Sequence, residues 1–214
     1  MIIFTIVYLA AFLHQSTGKS SSISSLLTTL ITVQNAIVDE HNEIRRNVVP
    51  TASNMLKMKW NATVAANAQS WANTCNLYPS LADARKINGI SSGENLYMSS
   101  SISLWSKAIQ GWNKESKDFE YGKGAITEGA AVRHYTQVVW YKSSEIGCAY
   151  AYCPTVKYPH YFVCQYFPAG NIQSQINKPY KEGTPCGDCP NDCDNGLCTN
   201  PCPHKNKFSN CDDL

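Results

Sequence analysis

Residues 134–140 read HYTQVVW, residues 147–152 GCAYAY and residues 160–166 HYFVCQY. All three blocks are rich in aromatic and β-branched side chains, which suit a pleated surface, and turn residues separate them. The pattern predicts three strands. Upstream the period changes. From Val33 the residues Ala36, Ile37, Val38, His41, Ile44 and Arg45 recur at helical spacing until Pro50 closes the segment. A second helix is expected from Asn61, a good N-cap, with Val64, Ala65, Ala68, Trp71 and Ala72 on one face. A third is expected from about Leu104 to Lys114, with Trp105, Ala108, Ile109 and Trp112 inward. Helices first and strands later, without βαβ alternation, indicate an α+β sandwich.

The flanks differ from this body. Met1 to Leu13 is an apolar run too short for a bilayer core, followed by small Ser16 and Gly18. It reads as a signal peptide, 1–18, cleaved near Gly18. Residues 19–32 are Ser/Thr-rich and read as a disordered leader. The sandwich is assigned to 33–172 and a cysteine-rich hinge and tail to 173–214. Cys186, Cys189, Cys193, Cys198, Cys202 and Cys211 crowd that last stretch among prolines and glycines. It has too few apolar residues for a core of its own, so disulfides must hold it.

Ten cysteines behind a signal peptide indicate an oxidising, extracellular address. The net charge of +2, with no basic cluster beyond pairs such as Arg45-Arg46, excludes a nucleic-acid footprint. No later stretch is apolar enough to anchor the chain in a membrane.

Several blocks together resemble the CAP superfamily, specifically the cysteine-rich secretory proteins. They are His41-Asn42 with Arg45-Arg46, Gly93 to Met98 (GENLYM), Trp112 with Glu115, Arg133 to Trp140, Tyr161 to Asn171 (YFVCQYFPAGN), and the tail PCGDCPNDCDNGLCTNPC. They span most of residues 34–211. The resemblance implies a CAP-type α-β-α sandwich followed by a small disulfide-rich hinge. It also implies the pairs Cys75–Cys153, Cys148–Cys164, Cys186–Cys193 and Cys189–Cys198.

Three departures from the family pattern carry information. Ser92 and Phe167 stand where relatives have two cysteines that bond each other, so one whole crosslink is gone. The family's C-terminal channel-regulating domain is largely absent, which leaves Cys202 and Cys211 to pair with one another. The family's cleft gathers two histidines and two glutamates able to hold a divalent metal. Glu94, Glu115 and His134 match three of these positions, but Pro79 occupies the fourth and has no lone pair to offer. No cofactor is therefore expected, and zinc is the metal to test for.

Other motifs have plainer readings. Gly89-Ile90-Ser91-Ser92-Gly93 fits a G-x-S-x-G nucleophile elbow, yet no strand pattern precedes it and a turn into Glu94 is the simpler reading. A Ser-His-Glu triad through His134 and Glu115 lacks an identifiable nucleophile and oxyanion hole. The hinge cysteines with His204 mimic a zinc ribbon, but secretion favours disulfides. Asn61-Ala62-Thr63 is a glycosylation sequon as well as a helix cap. His41 and Arg45, one turn apart, are expected to fix the first helix to the sandwich.

No catalytic residue is expected. The resemblance implies a diffusible protein ligand for a cell-surface receptor on sperm, acting as an attractant in fertilisation. A lipid or sterol carrier and an ion-channel modulator are the alternatives.

Overall fold

A computed structural model describes residues 24–199. The signal peptide and its cleavage point, the Cys202–Cys211 pair and His204 lie outside the described residues. Helix α1 spans Ile31–Arg46 and α2 Ala62–Ala72. Strand β1 is Lys59–Trp60, and a small hairpin is formed by β2 (Lys86–Ile87) and β3 (Ile90–Ser91). Strand β4 covers Gly93–Ser99, α3 Trp105–Asn113, and β5 and β6 are Phe119–Glu120 and Gly124–Ala125. Helix α4 is Arg133–Val138, followed by β7 (Glu145–Tyr152) and β8 (His160–Phe167). The hinge contributes β9 (Cys193–Asp194) and β10 (Leu197–Cys198).

The central sheet has the order β1-β7-β8-β4. Strand β1 runs parallel to β7, and the other two pairings are antiparallel. Side-chain alternation along β8 separates the two faces. Tyr161 and Val163 meet Ala68 and Ala72 of α2, whereas Phe162, Cys164 and Tyr166 meet α1, α3 and α4 residues such as Ile37, Ile109 and Val138. This is the α-β-α sandwich expected from the sequence. Helix α2 lies so close to β7 that a Cβ at Gly147 would sit 2.0 Å from the Ala65 nitrogen. Only glycine permits that approach.

The sequence reading needs four corrections. HYTQVVW is not a strand: residues 133–138 form α4. Its β-branched residues are buried in a helix end because tertiary contacts outweigh their local preference. Residues 93–99, to which the sequence pattern assigns no element, form edge strand β4, registered on β8 from Gly93↔Tyr166 to Ser99↔His160. Residues 24–30 are not an unstructured leader. They turn so that Leu26 is fully buried in the main core, with its carbonyl accepting from Trp105 Nε1 at 3.1 Å.

The fourth concerns the hinge, which is no separate appendage. The Cys198 N–H donates to the Met55 carbonyl at 2.8 Å and the Lys57 N–H to the Cys198 carbonyl at 2.8 Å. Residues 51–53 pair with 181–183 on another side, and Leu197 is buried in the sandwich core. The change in composition near residue 172 therefore does not mark a break in packing. Four disulfides join Cys75–Cys153, Cys148–Cys164, Cys186–Cys193 and Cys189–Cys198. Cys148 and Cys164 are direct cross-strand partners of β7 and β8.

Candidate functional site

The residues singled out from sequence fall into three places. The first is the buried seat of α1. His41 is fully buried, and its Nδ1 lies 2.7 Å from the Ile37 carbonyl. A carbonyl can only accept, so Nδ1 carries the proton and Nε2 accepts from the Tyr166 hydroxyl at 3.0 Å. Tyr166 in turn accepts from Asn95 Nδ2 at 3.2 Å. Burial, offset in part by the Ile37 hydrogen bond and reinforced by the Arg45 charge, lowers the His41 pKa to about 4. The ring is neutral.

Arg45, also buried, forms no ion pair with a carboxylate among the described residues. Its guanidinium donates to the carbonyls of Leu56 (3.0 and 2.7 Å), Val138 (2.9 Å), Trp140 (2.7 Å) and Tyr141 (3.1 Å). Burial lowers its pKa to about 9. These two side chains fasten α1 to the sheet and to the loop after α4, and neither is available to a substrate.

The second place joins Glu115 to His134. Glu115 Oε1 is 2.6 Å from His134 Nδ1, and Oε2 accepts the backbone N–H groups of His134 (2.9 Å) and Tyr135 (3.1 Å). Glu115 therefore caps the first turn of α4 from a different element, which satisfies amides that no local residue reaches. Burial pushes its carboxyl up, but the His134 ring and the two backbone donors outweigh it and hold the group below its ordinary range. The His134 side chain remains 44 % exposed.

Glu94 is in neither cluster. It shares the β4 face of Leu96 and Met98, which packs toward α2, whereas Asn95 on the opposite face reaches the His134 carbonyl at 3.0 Å. Both Glu94 oxygens are occupied. Oε1 accepts from the Ser80 N–H at 2.8 Å, and Oε2 accepts from Ser80 Oγ at 2.8 Å and Gln165 Nε2 at 3.1 Å. Among the described residues no three of His, Cys, Asp and Glu come together as a metal set. The donor chemistry agrees: Pro79 offers no ligand, Glu94 is spent on Ser80, and Glu115 on α4. The residues present do not fit a zinc centre.

The remaining motifs resolve locally. Gly89 to Gly93 is not an elbow. Asn88 (φ 51°) and Gly89 (φ 82°) form the two-residue turn of the β2–β3 hairpin, and Gly93 opens a strand rather than a helix. Asn195 (φ 48°) and Gly196 (φ 83°) do the same between β9 and β10. Both Asn-Gly pairs were legible hairpin signals that the sequence reading passed over. Asn61 Oδ1 accepts from the N–H groups of Thr63 (2.8 Å) and Val64 (3.1 Å), so the sequon residue caps α2, and its Nδ2 donates to Glu145. Between α1 and α3 an apolar cavity of about 490 Å³ is lined by Leu30, Val33, Ala36, Leu104 and Trp105, with Glu40 at its polar side. It drew no attention in the sequence because its walls come from segments seventy residues apart.

Residues 38–166 match the family model described as "CAP: Cysteine-rich secretory protein family", and residues 186–214 match the one described as "Crisp". Similar solved structures include NaASP2 with Zn2+, at 28% identity over 79% of this chain and 96% of that one, with a TM-score of 0.66. Schistosoma mansoni venom allergen-like protein 4 is 28% identical over 73% of this chain and 97% of its own, with a TM-score of 0.58. BmVAL-1 is 27% identical over 78% and 93%, with a TM-score of 0.61. Among the described residues no helix is long and apolar enough to cross a membrane.

Proposed function

From the premise that this chain belongs to the cysteine-rich secretory protein family, we propose that it is a secreted, non-enzymatic protein ligand. Its target is a receptor on the sperm surface, and the response is directed migration in fertilisation. The observation that carries this reading is the use made of the polar groups at the family's cleft. Glu94 is committed to Ser80 and Gln165, and Glu115 to the first turn of α4 and to the His134 ring. Among the described residues His134, the exposed base, is hydrogen-bonded to Glu115 and to no serine, whereas acyl transfer requires a nucleophile within reach of the base. What the molecule offers is a crosslinked exterior, and a rigid surface loses little entropy on binding.

Sperm placed in a gradient of the native protein migrate up it on this account, and fail to do so toward reduced and alkylated protein. Random movement toward native protein would remove the reading's support.

The cavity between α1 and α3 favours a second reading, an extracellular carrier of a lipid or sterol. Its volume lies in the range of small-molecule sites and its lining is largely apolar. Native mass spectrometry of protein from its natural source would show a stoichiometric lipid if carriage is the function, and bare protein otherwise.

A further inference from the structure

The misfit to zinc leaves open what organises the edge of the sheet where Pro79, Ser80 and Glu94 meet, and the structure assigns that work to Arg85. We propose that this arginine is the protein's own cation at that edge: it holds Ser80 to Ser92 and so keeps Ser80 on Glu94, and the edge neither needs nor takes up a metal.

Arg85 ends a short 3-10 turn, Ala82–Arg85, just before the β2–β3 hairpin. Its Nε donates to the Ser92 carbonyl at 2.7 Å, and its Nη1 donates to the Ser80 carbonyl and, at 3.2 Å, approaches the Ser80 hydroxyl. The Arg85 carbonyl accepts from the Ser92 N–H at 3.1 Å. One side chain thus ties both ends of the 80–92 loop, and Ser80 passes the restraint to Glu94 through two hydrogen bonds of 2.8 Å. Ser80 and Ser92 are buried and Arg85 is half-buried, so these charge-assisted bonds are partly shielded from water.

The register shows which covalent restraint this edge lacks. Gly93 faces Tyr166, so the next pair outward is Ser92 and Phe167, where a cystine would bridge β4 to β8. Neither position is cysteine. Beyond the Ser80–Glu94 pair and the Arg85 bonds, the loop is tied to the rest of the fold by its Ser91 carbonyl, which accepts from the Ala169 N–H at 2.9 Å, and by its Ala84 carbonyl, which accepts from Asn67 Nδ2 of α2 at 3.1 Å. A metal on Glu94 would have to displace three donors already in place.

The test uses the oxidised full chain, as wild type, Arg85→Gln and Arg85→Lys, with zinc chloride and with EDTA. We expect the melting temperature of wild type to stay within about 1 °C in either additive, and Arg85→Gln to fall by about 5 °C. Amide exchange followed by NMR separates a local pin from general destabilisation. In Arg85→Gln the Ser80 amide should exchange at least tenfold faster while the Val163 amide in β8 keeps its rate. Arg85→Lys, which keeps a charge but loses the fork, should fall between. Unchanged Ser80 exchange in Arg85→Gln would overturn the proposal. So would a zinc-induced rise of several degrees in wild type that Glu94→Gln abolishes. Were Arg85→Gln not to fold, Arg85→Lys and the two wild-type additive arms would still decide.

Discussion

The hinge and the seat of α1 solve the same problem, holding a segment against the sheet, by different chemistry. Between Cys186 and Cys198 two disulfides fix a stretch in which only the bonded cysteines Cys186, Cys189 and Cys198 and the side chain of Leu197 are buried. Helix α1 has no cysteine at all. It is held by Ile37 and Val33 in the apolar core and by the buried polar side chains His41, Asn42 and Arg45. Asn42 pairs with both backbone groups of Met58, much as a neighbouring strand would. Covalent closure stabilises chiefly by restricting the unfolded chain, whereas buried donors stabilise by satisfying carbonyls that would otherwise be stranded. The first is indifferent to pH in the ordinary range; the second is not.

That contrast makes its sharpest prediction at Arg45. Arg45→Met leaves the carbonyls of Leu56, Val138 and Trp140 without their guanidinium donor, and should cost about 3 to 4 kcal/mol in urea denaturation. A loss below about 1 kcal/mol would show that α1 is held by apolar packing alone. The hinge should be less costly to open. Replacing Cys189 and Cys198 by serine opens a link between residues 9 apart, about 2 to 3 kcal/mol in the chain-entropy model. Because β10 still bonds to residues 55–57, the Leu197 environment should survive by NMR. Its loss would mean that the disulfide, not the docking, holds the hinge.

Acid separates the two regions by sign. The His41 pKa lies near 4 in the folded protein, below its ordinary 6.5, so the unfolded chain binds the extra proton first. The stability contributed by neutral His41 is fully present above pH 6.5 and drains away as pH falls to about 4, up to roughly 3 kcal/mol. Comparison of wild type with His41→Gln between pH 7 and 4 should show that part of the slope disappear in the variant. Equal slopes would contradict the assigned tautomer network. Outside both regions, Asn61→Ala removes the α2 cap and should cost only about 1 kcal/mol. The same variant reports the glycan: a drop in apparent mass on a gel shows that the sequon is occupied in secreted protein.

What could be read from the chain followed from how local each determinant is. The Asn61 cap, the inward faces of the first three helices and the aromatic and β-branched run of β8 are written within a few residues of where they act. Strand β4 escaped notice because GENLYMS is defined by pairing with β8 more than sixty residues away, not by its own alternation. Helix α4 escaped because its capping group, Glu115, comes from a separate turn. At the cleft, the identities of Glu94, Glu115 and His134 were legible, but the separation of Glu94, on the α2 side of β4, from the Glu115–His134 pair was not. Pro79 alone signalled from the sequence that the ligand set was broken.

The central claim is that the folded, crosslinked exterior carries the activity and the cleft does not. A Glu115→Gln/His134→Ala double variant, checked for native fold by circular dichroism, decides this in the sperm-migration gradient beside wild type. Equal attraction by both proteins is the predicted result. A folded variant that attracts no sperm, beside wild type that does, would contradict it and return the function to the cleft.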